Sequence, residues 1–208
     1  MSAIKLYRHP LSGHSHRVEL LLSLLGLDAD IITVDLMSGA QKKPEFLAKN
    51  PSGQVPVLED GERTLSDSNA ILVYLASEHD ASGQWLPSNA LDAAAVQSFL
   101  TLAAGPVAFG PAAARLVNVF GAGLDHAKAK EVAHTALTRL NKHLEGRAWL
   151  ATQLPTIADL ANYAYIAHAP EGDVSLADYP NVRAWLTRIE ALKGFVPMQA
   201  TKVGLAAA

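Results

Sequence analysis

The chain has 208 residues, half of them hydrophobic, a formal net charge of −3 and no cysteine. That length admits one large domain or two small ones around a sizeable core, and the charge gives no general attraction to nucleic acid. Without cysteine there is no disulfide, no thiolate metal site and no catalytic thiol, so any sulfur chemistry must use sulfur that a ligand brings.

The first residues, MSAIKLYRHP, mix Lys5, Arg8 and His9 with apolar ones and lack the apolar core of a signal peptide, and no apolar run reaches membrane-spanning length. The expectation is a cytoplasmic protein with no membrane and no nucleic acid as partner. Ile4 to Tyr7 reads as a short strand ending at His9-Pro10. Ser12-Gly13 then turns the chain into a helix from about His14 to Leu25, with Val18, Leu21, Leu22 and Leu25 on its apolar face and Gly26 as its stop. Ile31, Ile32, Thr33 and Val34 make Asp30 to Val34 a β-branched second strand, so the chain opens strand, helix, strand with a right-handed crossover. Residues 35–49 form a polar excursion with Lys42 beside Lys43 and a short helix after Pro44.

From Asn50 to Ala76 the pattern is turn, strand, tight turn, strand, helix. Pro51 and Gly53 punctuate, Val55 and Val57 flank Pro56, Asp60-Gly61 turns, and Asp67 to Leu75 winds up. A proline there cannot donate a ladder hydrogen bond, so it belongs at an edge, a bulge or a cis peptide, where exposed backbone suits a ligand that pairs like a peptide. Ser66, Asp67 and Ser68 stand where helix caps should, and the positive helix end behind them favours a carboxylate. An ordinary hairpin followed by a capped helix explains the same residues. The order βαβ then ββα gives a four-stranded mixed sheet with helices on its faces, a thioredoxin-like α/β domain over residues 1–78.

Gly83 and Pro87 break the pattern in a polar stretch, residues 79–87, that reads as a linker. Residues 88–208 then hold long Ala/Leu-rich segments, about Ala90 to Ala104, Gly110 to Phe120, His126 to Glu145, Ile157 to His168 and Asn181 to Leu192, which make an all-helical bundle domain. Gly105-Pro106 and Gly110-Pro111 leave the first either a kinked long helix or two helices, and the kinked helix is favoured. Thr156-Ile-Ala-Asp159 is a capping box and a folding signal. Phe99, Phe109, Tyr163 and Tyr165 are expected in the core, with Phe109 alternatively facing a ligand. His9, His14 and His16 lack metal-ligand spacing and a nearby acid, and no phosphate-binding, dinucleotide or serine-hydrolase motif occurs, so no metal site is expected.

Three segments together carry a resemblance: LYRHPLSGHSHRVELLLSLLGL, DLMSGAQKKPEFLAKNPSGQVPVLEDGERTLSDSNAILVYLA and PTIADLANYAYIAH. In this order, before a helical second half, they resemble the cytosolic glutathione transferases over nearly the whole chain, most like bacterial members similar to the phi-like serine class. The resemblance implies that Pro56 is cis and that Val55 pairs its backbone with the cysteinyl unit of glutathione, with Gln54 nearby. It also implies that Asp67-Ser68 holds the γ-glutamyl end, Asp standing in place of the more usual Glu and reaching one methylene less far. Gln41 and Lys42 would meet the glycyl carboxylate. Ser12 falls where the serine class places its activating hydroxyl, and Tyr7 is the rival position, better read as an in-strand packing residue. His9, Leu11, His14 and Phe109 would line the pocket for a small hydrophobic electrophile, in a cleft between the two domains. A homodimer is implied, with the third helix and the first long helix at its interface. Glutathione enters as co-substrate, and no cofactor is implied.

The chemistry such a site needs is thiolate, because a free thiol with a pKa of about 8.5 is only a few per cent ionised at neutral pH. A hydroxyl donor at Ser12 and the positive end of the first helix would favour the anion, a shift of about two units corresponding to ~2.7 kcal/mol. Ser12 would not be a nucleophile, and as a bare helix cap it would have no chemical role. Reduction of a peroxide or a glutathionyl disulfide, and a non-catalytic glutathione- or ligand-binding module, are the alternative readings.

Overall fold

The computed structural model describes residues 4–207. These form two compact units, one running to Ala81 and including Lys193–Gln199, the other Ser82–Leu192 with the chain from Ala200 onward. The sequence places all of 88–208 in the helical domain. Lys193–Gln199 instead packs with the first unit, where Ser23 Oγ donates to Gly194 O (2.7 Å) and His16 Nε2 hydrogen-bonds Val196 O (2.8 Å).

The first unit is built on four strands, β1 (Ile4–Arg8), β2 (Ala29–Thr33), β3 (Val57–Asp60) and β4 (Arg63–Ser66), in the order β2-β1-β3-β4. β1 pairs parallel with β2 and antiparallel with β3, and β3 pairs antiparallel with β4, which is the mixed sheet the element order implied. Three helices accompany it: α1 (Gly13–Leu24), α2 (Pro44–Leu47) and α3 (Ser68–His79). α3 buries Ile71, Leu72, Leu75 and Ala76, an i, i+1, i+4, i+5 stripe at helical period. α1 buries more than the one apolar face expected of it, because Ser15, His16 and Arg17 are also enclosed. Val34, Phe46 and Val57 form a small core onto which Tyr7, Leu36 and Val55 pack.

The second unit holds α4 (Ala90–Ala104), α5 (Ala113–Phe120), α6 (His126–His143), α7 (Ile157–Ala167) and α8 (Pro180–Glu190). α7 is its centre, with every residue from Ile157 to Ile166 buried. Its capping box forms as the sequence implied, with Asp159 Oδ2 accepting from Thr156 N (2.9 Å). Between α4 and α5 the helix is interrupted at Gly105 and continues through a π-helical turn over Ala108–Ala112. That turn is tight against α6: a Cβ on Gly110 would lie 2.7 Å from Ala133 N. The expectation that no apolar run reaches membrane-spanning length is corrected here. Ala90–Phe120 is a helical run of 31 residues, long and apolar enough by length and composition to cross a membrane. The run is the interrupted long helix that the sequence favours, and its buried positions, Val96, Leu100, Ala103 and Val107 among them, serve the helical unit's core. Phe109, expected in the core or facing a ligand, lies in the π turn and is 69% exposed.

A buried ion pair ties α5 to the turn after α7. Glu171 accepts from Arg115 Nε (2.6 Å), His168 Nδ1 (2.6 Å) and Thr201 N (3.1 Å). Burial opposes ionisation of Glu171, but the hydrogen bonds from His168 and Thr201 and the Arg115 charge outweigh it and hold the carboxyl below its usual range. A carboxyl depressed by folding stabilises above its unfolded pKa of ~4.3 and loses that stabilisation as pH falls through the folded value. Glu171→Gln is therefore expected to cost about 3 kcal/mol at neutral pH by stranding Arg115, with the gap to wild type narrowing below ~pH 4. Urea unfolding at the two pH values measures it.

Candidate active site

The turn before β3 is shaped by Asn50, which is buried. Its Oδ1 accepts from Ser52 N (3.0 Å), its carbonyl from Gly53 N (2.9 Å), and its Nδ2 donates to Gln54 O (2.8 Å), the Asx-turn geometry that Asn-Pro-Ser-Gly favours. Gly53 has φ +58°, and a Cβ there would lie 2.8 Å from Lys42 Nζ and 2.9 Å from Gln41 O, so turn and excursion close against each other. Lys42 Nζ donates to Ser52 O at 3.2 Å. The turn delivers Val55, whose side chain packs on the Val34–Phe46–Val57 core while its N–H and C=O hydrogen-bond no other described residue. The Val55–Pro56 peptide is cis.

Opposite this edge stands the start of α3. Asp67 is its N-cap, with φ 71° and ψ 117°, a region that residues other than glycine rarely adopt and that recurs at ligand sites. Its Oδ1 accepts from Asn69 N (3.0 Å) and Ala70 N (2.9 Å), which leaves the Ser68 N–H as the first-turn donor for a ligand. Two residues of α1 back Ser68: Arg17 Nη1 donates to its Oγ (3.2 Å) and to Asn69 Oδ1 (2.7 Å), and His14 Nδ1 lies 3.2 Å from the same Oγ. Burial and the Arg17 charge pull the His14 pKa down to about 3, so the ring is neutral at physiological pH.

Loop and helix start enclose a cavity of about 210 Å³, walled by Gln54, Val55 and Pro56 on one side, Ser66, Asp67 and Ser68 on the other, and by His14, Asn50 and Ser52. It combines the Val55 backbone, which hydrogen-bonds no other described residue, a positive helix end with the buried Arg17 cation behind it, and the exposed carboxylate of Asp67. That set suits a peptide-like ligand carrying both a carboxylate and an ammonium.

Of the residues singled out in the sequence, His14, Gln54, Val55, Pro56, Ser66, Asp67 and Ser68 come together as walls. Ser12, Gln41 and Lys42 are not walls of this cavity, and neither are His9, Leu11 and Phe109. Ser12 is the N-cap of α1, its Oγ accepting from Ser15 N at 3.2 Å. Tyr7 packs edge-on to Phe46 and donates its hydroxyl proton to Glu59 Oε2 at 3.0 Å, beneath the Lys49 ammonium. Gln41 Nε2 reaches Leu36 O at 3.5 Å. His9 and Leu11 sit half-buried in the turn leading into α1, where Leu11 N donates to His9 Nδ1 (3.3 Å). His14, expected among electrophile contacts, lies beside Ser68, its Nδ1 3.2 Å from the Ser68 Oγ. Asn50, Ser52 and Arg17 were missed as site residues, and of these only Asn50 had a usable signal, the turn it starts.

Comparison with known proteins bears on this site. Residues 2–77 match the family model for the glutathione S-transferase N-terminal domain, and residues 123–193 the model for the C-terminal domain. Glutathione S-transferase 3 of Zea mays is 36% identical over 208 residues, covering 94% of this chain and 92% of that protein. The maleylacetoacetate isomerase of Rhizobium meliloti (strain 1021) is 34% identical, covering 91% and 92%. Among solved structures, a possible glutathione S-transferase from Rhodopseudomonas palustris superposes with a TM-score of 0.87 at 34% identity, over 96% of this chain and all of that one. With both domain models matched in order and relatives aligned over nine-tenths of their length, the chain belongs to the glutathione S-transferase family.

Proposed function

We propose that the protein binds glutathione in the cavity beside α3 and conjugates its thiolate to small hydrophobic electrophiles, with the Ser12 hydroxyl stabilising the thiolate. In this reading the cysteinyl unit pairs with the Val55 backbone, Ser68 receives the γ-glutamyl carboxylate and Asp67 the ammonium. Gln41 and Lys42 meet the glycyl carboxylate, and His9 and Leu11 contact the electrophile. The observation that carries the choice of Ser12 is the fate of its rival: the one proton of the Tyr7 hydroxyl is given to Glu59, whereas Ser12 Oγ accepts from Ser15 N and keeps its proton for a ligand. Glutathione is the co-substrate and no further cofactor takes part. The reading includes a cytoplasmic homodimer, with α3 and the Ala90–Phe120 run at its interface and the exposed Leu91 and Phe109 as apolar contacts on that run.

Retention on immobilised glutathione tests binding, and an assay with a generic aryl halide tests conjugation. Retention with conjugation is the expected result. Retention without turnover of aryl halides, peroxides or glutathionyl disulfides would leave a binding module, and turnover confined to the latter two would leave a reductase. The 34% identity with a maleylacetoacetate isomerase supports a second reading, in which the thiolate adds to an activated double bond and leaves again, so the bond isomerises and no glutathione is consumed. Following glutathione concentration during turnover separates the two.

A further inference from the structure

We propose that His14 is a positioning residue for the γ-glutamyl carboxylate: its Nδ1–H, donated to Ser68 Oγ, turns the Ser68 hydroxyl proton toward the ligand. The inference rests on the glutathione reading of the cavity and adds a residue to it. A serine hydroxyl has one proton and two lone pairs. Arg17 Nη1, 3.2 Å from Ser68 Oγ, can only donate, and so occupies one lone pair. His14 Nδ1, also at 3.2 Å, decides the rest. A bare Nδ1 would take the Ser68 proton and leave a lone pair facing the cavity, which repels a carboxylate. A protonated Nδ1 fills the second lone pair instead, and the Ser68 proton is then the group that meets the ligand. An anion in the cavity therefore selects the Nδ1–H tautomer, and the hydroxyl it meets is polarised by two N–H donors, one of them cationic.

Two further observations fit. His14 is itself a wall of the cavity, so its ring sits where ligand binding can select a tautomer. The ring also remains neutral at physiological pH, since burial and Arg17 pull its pKa to about 3, so it keeps one N–H and one bare nitrogen. Ser68 is thus oriented from α1 rather than from its own helix.

The test compares glutathione with 4-aminobutyryl-cysteinylglycine, which keeps the thiol, the ammonium and both peptide bonds but lacks the α-carboxylate. Calorimetric Kd values for both are measured in wild type, His14→Leu and His14→Asn, with KM and kcat for conjugation alongside. Asn places an amide N–H near the position of Nδ1. His14→Leu is expected to weaken glutathione about ten-fold, because the Ser68 hydroxyl that meets the carboxylate loses one of the two donors that orient and polarise it, while leaving the analogue's Kd and the kcat with glutathione unchanged. His14→Asn is expected to recover most of that ten-fold. Equal weakening of both ligands, a loss in kcat without one in Kd, or an Asn variant as weak as Leu overturns the role of His14 and leaves the glutathione reading standing. Failure of wild type to bind glutathione overturns both.

Discussion

Replacing Ser12 by Ala is expected to lower kcat for conjugation by ~10²–10³-fold, the usual effect of removing one preorganised donor to a developing or bound anion, with the affinity for glutathione nearly unchanged. The contacts assigned to the tripeptide lie on Val55, Asp67 and Ser68, whereas Ser12 is assigned only the sulfur. The substitution also removes the α1 cap, since Ser12 Oγ accepts from Ser15 N, and losing such a cap costs about 1 kcal/mol. Ser12→Asp separates the two effects. Its carboxylate caps the helix but repels a thiolate, so it should be as inactive as Ala and about as stable as wild type. Ser12→Thr keeps the hydroxyl and should keep most of the rate. Steady-state kinetics with an aryl halide, set beside thermal melts, measure both halves.

The largest stability effect is expected at Asp159, where Ala should cost about 4–5 kcal/mol. Its carboxylate accepts from Thr156 N (2.9 Å), Leu150 N (3.0 Å) and Trp185 Nε1 (2.9 Å), with Thr156 Oγ1 at 3.4 Å. The box therefore joins the start of α7 to the preceding loop and to α8. Burial raises the Asp159 pKa more than these donors lower it, so the negative charge itself adds no stability; the acceptor oxygens do. Ala leaves three buried N–H donors without a partner, each costing about 1–3 kcal/mol. Asn keeps one oxygen for Leu150 and Trp185 and should cost roughly half as much. Denaturant unfolding of the two variants checks both the size and the order.

Local chemistry made much of the fold readable. β-branched and alternating residues marked β2 and the β3–β4 hairpin, a Thr-x-x-Asp box marked α7, and Asp67 marked α3, because each signal acts within a few residues of its effect. What stayed hidden depends on contacts across long stretches of chain. Arg17 and His14 meet Ser68 more than fifty residues away, and nothing in the spacing of SGHSHRVEL distinguishes a buried guanidinium behind a ligand site from a solvated one. The return of Lys193–Gln199 to α1 rests on backbone carbonyls of Gly194 and Val196, which any sequence supplies. The Gly-Pro pairs near residues 105 and 110 were legible as a disturbance. They marked the kink but not the π turn or the outward-facing Phe109, which depend on how this segment packs, with Gly110 close against Ala133.

The central claim is that Ser12 makes the sulfur of bound glutathione a thiolate near neutral pH. Its most direct test is the pKa of that sulfur, titrated through the ultraviolet absorbance of thiolate in complexes of glutathione with wild type and with Ser12→Ala, each saturated. The account predicts a value about two units below the ~8.5 of a free thiol in wild type and a return toward the free value in the variant. Equal pKa values in the two complexes would contradict it.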